Sequence, residues 1–404
     1  VSLAGWAATP AGAQVVNSNF DGGCVNDNWS CANNWNPNQV PDNGAPMPGN
    51  TYNVTLDGAD NPFLDGGAPL TIPVQISTLS MLAGATLFVN STDLEVLGAM
   101  TMDDQASYEG SGGASSAELC AGSLTLNAGD PMAPPPPDGG PQMALGGTMA
   151  VTTTGSLELN GAGYLGGPGS CTPPDLSVTG SSKVNIEGNF TIIQAASITY
   201  TSSQRMCLAG RYDNQALTQY SNLSNLTSKK VKMASTCDPD SDCIDAPAPQ
   251  GPAAQEFEAA GHDFGNVLAG YTHNFSIGEI EIEANHTVVF NDLEDNDQNG
   301  SPPNNFPNCN NGSYEAVYVN KLVVGALATV QAVNTRVYYV DLEPDNAQLS
   351  PVGCGQFIPV PLSQGNIPAV SGAWLAVLVA AAGAAIGWRF RSRPGETITG
   401  ESGA

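Results

Sequence analysis

The chain has 404 residues, 46 of them Gly and 30 Pro, with 12% charged residues and a formal net charge of -27. So acidic a surface repels phosphate backbones and anionic headgroups, which argues against nucleic acid as a partner; the charge reads first as a solvated surface that keeps the chain soluble, with divalent cations as the ligands acidic patches would gather. The length suits two or three domains or one elongated repeat.

In chain order, the opening "VSLAGWAATPAGAQ" carries small and apolar residues up to Ala11-Gly12-Ala13, an A-x-A cleavage pattern. Residues 1–13 are therefore expected to be the remnant of a secretory signal peptide, with Gln14 the first mature residue. Nine cysteines at 24, 31, 120, 171, 207, 237, 243, 309 and 354 show no C-x-x-C or Cys/His zinc spacing, so disulfides in an oxidising compartment are expected. Short loops closed by Cys24 with Cys31 and by Cys237 with Cys243 are the first pairings to test, then Cys309 with Cys354. One cysteine is left over or pairs between chains.

From Val74 onward, short apolar alternations recur after a glycine: "GATLFV" at Gly84, "GSLTL" at Gly122, "GSLEL" at Gly155 and "GSSKVNI" at Gly180. Apolar side chains at i and i+2 give a strand one buried face, and the near absence of helical periodicity points to an all-β chain. Strands repeated in this way read as coils of a solenoid, each burying its stripe on its neighbours. A β-sandwich is the alternative. "GDPMAPPPPDGGP", from Gly129 to Pro141, is a protruding loop, because its prolines have no N–H to give a ladder. An N-terminal cap and solenoid then occupies 14–236. The Asp/Pro-rich stretch 237–255 is an insertion or a boundary, and a second set of coils occupies 256–362. In that second set Val317, Val319, Leu322 and Val324 precede a turn at Gly325-Ala326, and Val330, Ala332, Val337 and Tyr339 resume the alternation.

The block "EAVYVNKLVVGALATVQAVNTRVYY" resembles the closing coils of exported bacterial surface proteins of the parallel β-helix type. "DNWSCANNWNPNQVPDNGAPMPGNTYNVTL" is similar to the start of such proteins, which implies that Trp29 and Trp35 with Pro41 cap the solenoid before a first strand at Tyr52 to Leu56. Residues and resemblance together predict a right-handed parallel β-helix with loop insertions, followed by one C-terminal transmembrane helix.

That helix is read from "IPAVSGAWLAVLVAAAGAAIGWRFRSR" within the segment 363–393. From Ile367 to Trp388 the run reaches the ~20 residues that span a bilayer core, with Trp374 and Trp388 at its two ends and Arg389, Arg391 and Arg393 as a cytoplasmic stop. Without that basic cluster and Glu396 and Glu401 in the polar tail 394–404, the rest of the chain holds 36 acids and 8 bases. The segment resembles bacterial C-terminal sorting signals of the Ile-Pro-Thr-Leu kind related to PEP-CTERM. Ile367, Pro368 and Ser371 match the motif, Ala369 and Val370 replace Thr and Leu, and Trp374 falls one position late. The resemblance implies export in a Gram-negative cell, passage through the inner membrane, processing by an exosortase-like enzyme, and attachment or release at the surface.

Three patterns bear on chemistry. In "DNDQNG", Asp295, Asp297 and Asn299 have the alternation with which oxygens converge on calcium, and Asp292 and Glu294 stand ready to complete the shell, although Phe306 occupies the position of an EF-hand glutamate. Asp238, Asp240 and Asp242 alternate likewise. His262, His273 and His286 would meet only if successive coils stacked them. No G-x-S-x-G, H-E-x-x-H, P-loop or dinucleotide motif occurs, and no catalytic residue is assigned. A β-helix lyase or hydrolase of polysaccharides needs acids on adjacent coils, with a base in the lyase case; Arg205 and Arg211 beside Tyr212 are the basic pair available for it. "SKKVK", from Ser228 to Lys232, is a basic island that reads first as a surface turn and alternatively as a contact for an anionic glycan or an acidic neighbour subunit. The expected function is a structural or adhesive surface protein, calcium-tightened, that presents loops to a glycan, a matrix or copies of itself. The alternative is a carbohydrate-active β-helix enzyme.

Overall fold

The structure is a computed structural model that describes residues 14–43, 50–58, 60–65, 73–89, 91–110, 117–128, 140–161, 173–217, 219, 221, 223–237, 254–272, 274–293, 296 and 315–360. Among them the fold is all-β, with two short 3-10 turns at Ala32–Asn34 and Leu268–Tyr271. The alternation seen in the sequence becomes alternate burial: Thr51–Leu56 and Thr86–Val89 each bury every second side chain. Strands pair in parallel with the equivalent strand one coil on, so the chain winds as a solenoid with three ladders. The β-sandwich alternative falls here, because such sheets are antiparallel and among the described residues antiparallel pairing is confined to two short contacts, Val15–Phe20 with Trp35–Asn36 and Gly261–His262 with Glu315–Val324.

Register lines like residues into columns. One inward column runs Val54, Leu79, Met100, Leu124, Leu157, Phe190, Tyr212, Phe257, Phe290 and Ala332. A second ladder stacks Val184, Met206, Val231, Ile280, Leu322 and Leu342. All but Leu342 of these side chains are buried, and the columns face one another in a single hydrophobic core. Both ladders continue across residues 237–255, since Tyr212–Ala216 pairs with Gln255–Glu258 and Ser224–Met233 with Ile277–Ile282. The sections before and after that stretch are one solenoid.

Close coil spacing demands glycine at one corner. A Cβ on Gly188 would press on the backbone of Gly155, and one on Gly210 on the backbone of Gly188, so three successive coils turn over one another without side chains.

The amino end is closed by Trp29 and Trp35, both fully buried and edge to face at 4.6 Å, with Phe20 edge-on to Trp35 at 5.2 Å. Trp35 Nε1 donates to the Trp29 carbonyl at 2.9 Å, and Trp29 Nε1 donates to the Pro41 carbonyl at 3.0 Å. The two tryptophans are buried as a cap requires, but the first strand is earlier than predicted: Val15–Phe20 precedes them and pairs in parallel with Thr51–Leu56. Its Ser18 occupies the inward position beside Val54, a polar residue where the pattern asks for an apolar one.

The disulfide Cys24–Cys31 forms as expected and ties the cap loop. Cys237 bonds to Cys207 and not to Cys243. In a solenoid the residue one coil back is nearer than many sequence neighbours, and Cys207 lies beside Lys232 on the adjoining coil, within reach of the chain as it passes Cys237. Cys120 and Cys354 are also in disulfides; Cys243 and Cys309 lie outside the described residues. No helix among the described residues is long and apolar enough to cross a membrane. Ile367, Pro368, Ser371, Trp374, Arg389, Arg391 and Arg393 lie outside them, as do residues 1–13.

Near the cap, Asp60 is buried and faces Asp57, Asp21 and Asp27. Burial raises its carboxyl to about 6; the Asp57 N–H, donating at 2.7 Å, opposes the rise, and the neighbouring acids reinforce it. A carboxyl raised in the fold above its unfolded value adds stability below pH 3.8 that is lost as pH climbs through about 6. Asp60→Asn is expected to remove that decline and to gain about 1 kcal/mol or more at pH 7, read as a flatter profile of melting temperature between pH 4 and 7 (roughly this window). A variant that keeps the wild-type slope would contradict it.

Candidate metal centre

Gln255–Glu258 turns Phe257 into the aromatic column, which sends Glu256 and Glu258 to the outer face. On the next coil Phe290 is likewise inward, so Asn291, in register with Glu258, stands beside it. Asp292 follows at the corner, and Glu315 opens the strand Glu315–Val324 after the inserted residues. These three acids converge: the ligand oxygens of Glu258, Asp292 and Glu315 all lie within 4.8 Å of one another, and the side chains are 1%, 4% and 3% exposed.

Like charges so close and so dry repel strongly. The Arg211 guanidinium lies 3.7 Å from Glu258 but is shared with Asp213 at 3.1 Å and Glu256 at 3.7 Å. The Leu293 N–H donates to Glu258 at 2.7 Å. The Asn291 side-chain oxygen is buried and accepts no hydrogen bond. Asn296 donates from Nδ2 to the carbonyls of Asn214 at 2.6 Å and Ala216 at 2.8 Å, which holds the chain against the strand Tyr212–Ala216. The donor set is oxygen only, from carboxylates and an amide, which suits hard cations such as calcium or magnesium and not zinc or copper.

Of the calcium ligands expected from sequence, Asp292 is in this cluster. Asp295, Asp297 and Asn299 lie outside the described residues, as do Asp238, Asp240 and Asp242. Glu258 and Glu315 were not visible as candidates, because no spacing along the chain marks them and only coil register brings them to Asp292. His286 is buried, with Nε2 2.7 Å from Gln255 Oε1; burial lowers its pKa and nearby Glu283 opposes the shift. His262 packs edge-on to Phe264 at 5.0 Å, and His273 is outside the described residues. Among the described residues no metal-ligating group includes a histidine.

The remaining charged motifs resolve into ladders. Lys230 pairs with Glu279 at 3.0 Å and Lys232 with Glu283 at 3.1 Å, so these two lysines of the "SKKVK" island are met by acids of the next coil. Arg205 pairs with Glu281. Tyr212, the aromatic read beside Arg205 and Arg211, is an inward member of the aromatic column. On the outer face of the first ladder Thr55, Ser80, Thr101 and Thr125 are in register as a row of short polar side chains, which continues into Glu158, Thr191 and Asp213. Beside it, Asn53 donates to Asn17 and accepts from Thr78, both at 3.1 Å. A depression of about 220 Å³ is lined by Lys183, Arg205, Lys232, Asn185 and Gln204 with the Cys207–Cys237 bridge, and presents no facing carboxylate pair.

Compared with protein-family models, curated proteins and solved structures, the chain matches none.

Proposed function

We propose that this protein is an exported scaffold of the bacterial surface, a right-handed parallel β-helix that presents its insertions to a glycan, a matrix or copies of itself, and whose C-terminal segment from Ile367 to Arg393 is both a membrane span and a sorting signal. The observation that carries this reading is the outer surface of the solenoid. Short Ser, Thr and Asn side chains bond to one another along the coils, and Lys230, Lys232 and Arg205 are met by acids of the same chain. Such a surface is spent on rigidity. A polysaccharide-cleaving groove would instead line up carboxylates and aromatics on one face. The disulfides agree with an oxidising compartment, and the A-x-A tail and the Ile-Pro motif supply the route out.

Intact mass of the protein recovered from its native cells tests the route. The expected mature chain begins at Gln14 and ends close to Ile367. A chain that retains Ile367 to Ala404 would overturn processing and leave a single-span anchor.

A further inference from the structure

We propose that Glu258, Asp292 and Glu315, with the side-chain oxygen of Asn291, form a calcium site that fastens two successive coils. This stands on geometry and is independent of where the protein resides. Three carboxylates from three different points of the chain meet within 4.8 Å, all of them buried. Convergence of that kind is not a solvated acidic surface, since each added acid raises the cost of burying the others unless cationic charge lies among them, and Arg211, 3.7 Å from Glu258, divides its charge with Asp213 and Glu256.

The second observation is Asn291. Its amide oxygen is buried at 5% residue exposure and accepts no hydrogen bond. It is register partner to Glu258, outward like Glu258, and immediately precedes Asp292. A buried carbonyl oxygen on the residue in register with Glu258 and next in chain to Asp292 is a candidate neutral calcium ligand: it supplies a lone pair where more negative charge would be costly. Calcium accepts the irregular, carboxylate-rich shell that two strand ends and a corner provide, whereas magnesium demands a near-ideal octahedron. Asp292 and Glu315 are far apart in the chain, so an ion between them and Glu258 would tie both to the preceding coil.

The test uses the full chain, stripped with EGTA and titrated with calcium chloride by calorimetry, alongside thermal melts with calcium or magnesium. One calcium per chain is expected, with a dissociation constant on the order of 10⁻⁵ to 10⁻³ M, a higher melting temperature in calcium, and a smaller response to magnesium. Glu258→Gln and Glu315→Gln should each weaken binding at least about tenfold, the cost of roughly 1.4 kcal/mol, while Glu158→Gln on the outer ladder leaves it unchanged. Absence of binding at millimolar calcium overturns the proposal. So does binding that persists in both Gln variants, which would place calcium elsewhere in the chain. Should a Gln variant fail to fold, a crystal of the wild-type protein grown in calcium decides: an ion held by Glu258, Asp292 and Glu315 supports the site, and an empty corner overturns it.

Discussion

Replacing Phe257 with alanine is expected to cost about 3–5 kcal/mol of stability. The ring is stacked on Tyr212 at 4.4 Å with planes 9° apart, and contacts Phe290 at 5.2 Å on the other side. With 2% of the residue exposed, no water fills the gap left behind. The loss combines the transfer free energy of the ring with a cavity flanked by two aromatic side chains that cannot both close on it. The effect should also spread. Phe257 fixes the register of Gln255–Glu258, and that register places Glu258 beside Asn291, so the affinity of the proposed calcium site should fall in the same variant. Urea unfolding followed by circular dichroism gives the number. A change below about 1 kcal/mol would mean that the aromatic column does not exist as described.

Trp35→Ala is expected to be equally costly, about 3–5 kcal/mol, through a different mechanism. A solenoid has an open end at each terminus, and a terminal cap must cover the last hydrophobic layer. Here Trp35 is that cover: it packs on Trp29 and Phe20 and donates its indole N–H to the Trp29 carbonyl. Without it, Trp29, Phe20 and the first coil meet water, so the variant should bind a hydrophobic dye and self-associate at concentrations where the wild type does not. Trp35→Phe retains most of the packing and forfeits the hydrogen bond, for about 1 kcal/mol plus the lost ring area. Dye binding equal to wild type in Trp35→Ala would show that something else covers the end.

Strand alternation was legible in the sequence because it is local. The runs at Thr86–Val89, Leu157–Asn160 and Lys183–Ile186 bury the side chains their spacing marked, and a chain with so little helical periodicity had few other ways to bury them. What the sequence did not disclose is register between coils, a relation among residues far apart in the chain. Val15–Phe20 carries Asn17, Ser18 and Asn19 in its middle, so nothing local marks it as a strand, and its partner Thr51–Leu56 decides it. Cys237 looked closest to Cys243 along the chain, yet the coil brings it to Cys207. Lys230 and Lys232 read as an unmatched basic island until Glu279 and Glu283 stand opposite. The acidic cluster divides in the same way: Asp292 stood out beside a calcium-like motif, whereas Glu258 and Glu315 reach it only through stacking.

Surface display is tested most directly on intact native cells labelled with a membrane-impermeant amine reagent, followed by non-reducing peptide mapping of the labelled chain. Display predicts labelling before lysis, with the Cys24–Cys31 and Cys207–Cys237 peptides still joined. A chain that labels only after lysis and carries free thiols at those four positions would contradict an exported, disulfide-tied scaffold.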